Sequence, residues 1–136
     1  MTAHAKGTRI SLYRERAATL VVLKRFADAK LDIDMCLTKT ELSFGRGNVA
    51  YARCLWLAAK IEHYLNKPDD ASAMLQEALT LFRSSKPSLG LDFAQALMFE
   101  AEITPSMASS AKSEAKKLLT PLNEYWLANQ WLAQLD

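Results

Sequence analysis

Glycine and proline are scarce in this chain, four of each in 136 residues, so long stretches run without a residue that interrupts helical backbone. Cysteine is scarcer still. Cys36 and Cys54 alone make no disulfide framework, and both fall in apolar helical patterns where a free cysteine behaves as a small hydrophobe; a reducing compartment fits that reading. No apolar run approaches the ~20 residues a membrane-crossing helix needs. The longest, Ala17 to Leu23 with one threonine, is closed by Arg16 and Lys24. The first ten residues are short and polar and lack the hydrophobic segment of a secretory signal, so cytoplasmic residence is the expectation. A charge excess is missing too. Seventeen basic residues face fifteen acidic ones, and Arg9, Arg14, Arg16, Lys24 and Arg25, like Lys112, Lys116 and Lys117, are interleaved with Glu15, Asp28 and Glu114, so nucleic-acid binding is not expected.

Chemistry-bearing motifs are equally thin. Only two histidines occur, His4 in the N-terminal segment and His63, without H-E-x-x-H or Cys-x-x-Cys spacing, so neither metal nor other cofactor is expected. Asp28, Asp32 and Asp34 lack the glycine and distal glutamate of a calcium loop, and Asp28 and Asp32 read as a solvated helix face. Gly45-Arg46-Gly47 lacks the length and the lysine-serine ending of a phosphate-binding loop and reads as a flexible connection. No Gly-x-Ser-x-Gly elbow appears among the serines. The chain does not read as an enzyme; an enzymatic alternative would require a deep pocket joining His63, Glu62 and Arg53.

What the chain does contain is a repeat. Lys24 to Leu37 and Asn66 to Leu79 share their apolar spacing: Ala29, Ile33, Cys36 and Leu37 match Ala71, Leu75, Ala78 and Leu79. Twelve residues before Ala29 and Ala71 stand Ala17 and Ala59, small residues where a second helix can approach closely. A weaker third copy places Ala111, Ala115, Leu118 and Leu119 in the same slots, with Phe99 where the small residue belongs. The spacings are 71−29=42 and 111−71=40 residues. Repeats of this length indicate stacked helical units.

These residues give the chain a resemblance to the tetratricopeptide repeat, a helix-turn-helix unit with a small residue in its first helix and an Ala-x3-apolar-x2-small pattern in its second. The turn Arg25-Phe26-Ala27-Asp28-Ala29 resembles the family's aromatic-bearing turn, whereas Lys67-Pro68-Asp69-Asp70-Ala71 replaces the aromatic with proline. The spacing exceeds the family's usual ~34 residues and resembles the longer repeats of bacterial regulatory and adaptor modules. The resemblance implies an all-α, right-handed α-solenoid of about three TPR-like hairpins, over residues 11–41, 48–84 and 91–119, with a C-terminal capping helix over about 121–135. Residues 1–10 are then a flexible tail.

Caps and breakers refine those elements. Asn48 predicts the start of the third helix, Pro68 sits in the first turn of the fourth, and Thr120-Pro121 predicts the start of the last. The last helix carries Tyr125, Trp126, Leu127, Trp131, Leu132 and Leu135, a large apolar load for a chain end. It closes the stack, meets a further repeat, or forms a homodimer seam, with Trp126, Trp131 and Leu135 as the surface.

In tetratricopeptide arrays the first helices of successive hairpins line a concave groove. On helical spacing Arg53, Trp56, Lys60, His63 and Tyr64 share one side of the third helix, opposite a Leu55-Ala59 side that packs internally. Arg14 and Glu100 would flank this basic, aromatic stripe, which suits an acidic or aromatic peptide or a partner helix. The competing reading buries Trp56 and Tyr64 against neighbouring helices and leaves Arg53 and Lys60 to solubilise the surface. The expected function is that of a non-catalytic protein-interaction module, an adaptor or regulatory scaffold; an immunity-type inhibitor and the sensing module of a transcriptional regulator are the alternatives.

Overall fold

The computed structural model describes residues 3–85, 90–122 and 126–135. All regular structure among the described residues is helical: α1 (Ala3–Val22), α2 (Phe26–Phe44), α3 (Val49–Tyr64), α4 (Pro68–Ser84), α5 (Gly90–Ile103), α6 (Ala108–Leu119) and α7 (Trp126–Leu135). Two short 3₁₀ turns, Pro105–Met107 and Thr120–Leu122, precede α6 and α7. The helices fall into two compact units, Met1–Ser85 and Lys86–Asp136.

In the first unit α1 packs on α2, α2 on α3 and α3 on α4, and α1 also reaches α3. The repeat accounts for this packing. Ala17, Ala29, Ile33 and Cys36 are buried, as are their counterparts Ala59, Ala71, Leu75 and Ala78. Ile10, Cys54, Leu57, Ala58 and Ile61 complete one core cluster, against which Tyr13, Leu20, Val21, Leu37, Leu65 and Met74 pack. Burial of each leucine or isoleucine contributes about 1.5–3 kcal/mol, whereas the alanines contribute mainly by letting helix backbones approach. Helix α3 is buried on most of its circumference, from Tyr51 and Ala52 to Ile61 and Glu62, as expected of a helix apolar all round and flanked by neighbours.

The two interhelical turns of this unit are copies at the level of backbone hydrogen bonds. After α1, Leu23 N–H donates to Thr19 O, Lys24 to Val21 O and Arg25 to Leu20 O. After α3, Leu65 donates to Ile61 O, Asn66 to His63 O and Lys67 to Glu62 O. Each turn then places a non-glycine residue in the left-handed region, Lys24 at φ 61° and Asn66 at φ 64°, which is the Schellman way of satisfying the last carbonyls of a helix. The next helix begins identically, with Ala29 bonding Arg25 O and Ala71 bonding Lys67 O. Between the hairpins, Gly45 at φ 81° ends α2, a conformation that favours glycine. The Asn48 side chain accepts from Tyr51 N–H at 3.0 Å and donates to Phe44 O and Gly45 O, both at 2.8 Å. The expected N-cap is present, and the connection read as flexible is held by hydrogen bonds at both ends.

Several expectations are corrected. Helix α1 begins at Ala3, inside the segment assigned to a tail, and Ile10 is buried in the core. Cys36 and Cys54 are joined by a disulfide between α2 and α3, with Cα atoms 6.2 Å apart. Both lie on inward faces of packed helices, so two thiols that looked like independent small hydrophobes meet; the inference from unbonded cysteines to a reducing compartment loses its ground. Asp32 is not part of a solvated face. It shares the inward side of α2 with Ala29, Ile33 and Cys36 and is buried, because Arg16 reaches it from α1 with two hydrogen bonds of 2.6 Å.

In the second unit α5 packs on α6 and α6 on α7. Phe93, Ala94, Ala96, Leu97 and Phe99 are buried on α5, and Ala111, Ala115 and Leu119 on α6. The third copy of the repeat therefore buries its alanines as the others do, with Phe99 inside where the others have alanine. Its turn differs, because Pro105 lacks an N–H and the chain passes through 3₁₀ geometry before α6. Thr120 does not cap α7: it retains helical dihedrals and its hydroxyl donates back to Lys116 O at 2.7 Å. Ala128 of α7 is buried, and Trp131 and Leu135 are half-buried. The expected connection over 86–89, Tyr125 and the Trp126 side chain lie outside what is described. Among the described residues no helix is long and apolar enough to cross a membrane.

Candidate partner-binding site

The stripe expected on α3 divides when its side chains are placed. Trp56 is only 8% exposed, with the Lys60 ammonium 5.9 Å from its ring centroid. Tyr64 is half-buried and stacks on Phe26 with centroids 4.8 Å apart, while the His63 ring meets Tyr64 edge-on at 5.4 Å. Thus the aromatic at the start of α2 packs against the end of α3, at the end of the pair remote from the 45–48 connection. Arg53, Lys60 and His63 are half-buried on α3 and Arg14 is half-buried on α1. Glu100 is buried on α5 in the second unit.

Two polar clusters lie within the helices of the first unit. Glu62, buried on α3, accepts from the Lys30 ammonium at 2.5 Å, and Lys67 lies 3.9 Å from its other oxygen. That hydrogen bond, with the Asp34 carboxylate 3.7 Å away on the same helix, holds the Lys30 pKa above the ordinary lysine value. The second cluster is Arg16 with Asp32; the hydrogen bonds and charge of Asp32 raise the already high arginine pKa. Arg46 joins the hairpins at the surface, 3.2 Å from Glu77 and 5.3 Å above the Tyr51 ring. Burial raises the Tyr51 pKa despite the arginine. Sequence reading missed both buried carboxylates. Their signal was position: Asp32 falls on the face of Ala29 and Cys36, and Glu62 on that of Leu55 and Ala58, at helical spacing.

A groove lies elsewhere than the α3 stripe. It runs between α1 and α2, has a volume of about 650 Å³, and is lined by Arg9, Leu12, Tyr13, Glu15, Arg16, Thr19 and Lys39. Tyr13 forms its floor, with the Arg16 guanidinium 5.7 Å and the Lys39 ammonium 5.9 Å from the ring centroid. Leu12 stands 60% exposed at the rim. Asp32 pairs with Arg16, which leaves Arg9 and Lys39 as the other cations of the groove, beside Glu15. Arg9, Tyr13 and Arg16 recur at i, i+4 and i+7 on one side of α1, and this spacing was the signal available in the sequence. Among the described residues no group of three or more metal-ligating side chains converges. An exposed apolar rim, an aromatic floor and fixed cations can hold an extended or helical segment carrying carboxylates and apolar side chains. No protein-family model, curated protein or solved structure matches the chain.

Proposed function

We propose that the chain is a non-catalytic protein-interaction module, a stack of TPR-like hairpins that binds an acidic segment with apolar side chains. The observation that carries this reading is the α1–α2 groove, where Leu12 and Tyr13 supply apolar surface and Arg9 and Lys39 supply positive charge at the same site. The identical turns after α1 and α3 support the tetratricopeptide-like element of the reading, since they repeat at the 42-residue spacing of the apolar pattern, 66−24=42. The groove takes precedence over the α3 stripe because Trp56 and Tyr64, the aromatics of that stripe, are occupied in packing.

A defined probe tests this. A fluorescent acidic peptide with leucines at helical spacing is titrated against the intact chain and against Arg9→Glu and Lys39→Glu, with helicity checked for each. The reading predicts saturable binding that weakens with salt, as exposed charges require, and falls about tenfold or more in each variant. Absence of binding to the intact chain, or binding by both variants as tight as that of the intact chain, would sink it.

A further inference from the structure

The outer face of α2 carries a stripe that no element of its unit covers. Leu31 is 68% exposed, Met35 41% and Leu42 83%, with Thr38 exposed between them. Their spacing of four, three and four residues is that of a two-stranded helical seam, and the stripe lies opposite the buried face of Ala29, Ile33, Cys36 and Thr40. Lys39 flanks it on the α1 side, its ammonium 5.9 Å from the Tyr13 ring centroid, and Lys30 on the other side turns toward Glu62 of α3.

We propose that this stripe is the seam of a parallel homodimer, α2 against α2 of a second copy, with Leu31, Met35, Thr38 and Leu42 each meeting its own counterpart. Charge complementarity selects a second copy as the occupant and fixes its direction. Asp34 lies on one flank of the stripe and Lys39, five residues on, lies on the other. In a parallel pair of helices those two positions face each other across the seam, so the two-fold axis generates two Asp34–Lys39 pairs. An antiparallel pair instead brings like flanks together and opposes Asp34 and Glu41 of one copy to the same carboxylates of the other. The seam is short, so the dimer is weak and concentration-dependent. It requires no ligand in the α1–α2 groove, although it shares Lys39 with that site.

Sedimentation equilibrium of the intact chain over a wide concentration range tests the proposal, with circular dichroism confirming that every variant stays helical. The intact chain is expected to approach twice its 15.2 kDa at high concentration. Asp34→Lys alone and Lys39→Asp alone each raise the dissociation constant about tenfold, and the double exchange restores it. Leu42→Ser abolishes the dimer. A monomer at every concentration overturns the proposal, as does a dimer that Asp34→Lys leaves unchanged or strengthens, or one that is lost with Trp131→Ala and untouched by Leu42→Ser. The double exchange also separates this proposal from the groove reading: it restores the seam while leaving an aspartate at position 39, so the dimer returns and binding of the acidic peptide does not.

Discussion

Glu62 sits inside the first unit with the Lys30 ammonium 2.5 Å from one oxygen and Lys67 3.9 Å from the other. A buried carboxylate deprived of its hydrogen-bond donor is costly, whereas replacing both partners by apolar groups removes the liability. Lys30→Met therefore lowers stability by about 1–3 kcal/mol, and Lys30→Met with Glu62→Leu recovers much of that loss; urea denaturation of the three chains checks this. Lys30 also sets a direction for pH dependence. Its folded pKa is raised by Glu62 and Asp34, so its contribution is complete below the ordinary lysine range, about pH 10, and is lost as pH rises through the folded value. Tyr51, whose pKa burial raises, acts in the same sense, because the unfolded chain ionises first. Thermal melts from pH 8 to 11 should show stability falling at the alkaline end (~pH 10 and above), with a smaller fall in Lys30→Met. A rise in stability there would contradict both assignments.

At the scale of the element, the turns after α1 and α3 explain why the repeat was legible. Alanine and leucine spacing identifies inward faces at helical period, and its alanine positions are buried in all three copies while Leu37 and Leu118 are half-buried. Helix ends that depend on local capping were legible too, as Asn48 and Pro68 show. What escaped were features decided by a neighbouring helix. The Cys36–Cys54 bond depends on the α2–α3 register, the burial of Asp32 on Arg16 reaching across from α1, and the fate of Trp56 on how fully α3 is surrounded. The groove combines α1 residues with Lys39 of α2, so no single helix displays it. Thr120 was misassigned because its hydroxyl satisfies the helix it ends and not the one that follows. Two measurements probe these elements. Lys24 occupies the left-handed region at φ 61°, where a side chain costs about 1–2 kcal/mol; Lys24→Gly is expected to raise stability by about 1 kcal/mol, and a loss would show that the lysine side chain outweighs the backbone term. Cys36 and Cys54 are 18 residues apart, so opening the bond frees a loop worth about 3 kcal/mol in the unfolded ensemble. Reductant should lower the melting temperature of the intact chain and leave Cys36→Ala, Cys54→Ala unaffected, the double variant melting near the reduced intact chain.

Across the whole molecule, the helices of the first unit turn their small residues and two paired carboxylates inward and leave one side of α1 and α2 carrying exposed leucines, a tyrosine floor and cations. That side holds both the groove and the stripe, and Lys39 belongs to each. The central claim is that partner binding occurs there and not along Arg53, Trp56, Lys60, His63 and Tyr64 of α3. The most direct measurement is an amide-resolved magnetic resonance titration of the isotopically labelled chain with the acidic, leucine-bearing peptide, at a protein concentration where it is monomeric. The account predicts that the perturbed amides cluster at Arg9, Leu12, Tyr13, Thr19 and Lys39; perturbations concentrated on 53–64 of α3, with the α1–α2 groove unmoved, would contradict it.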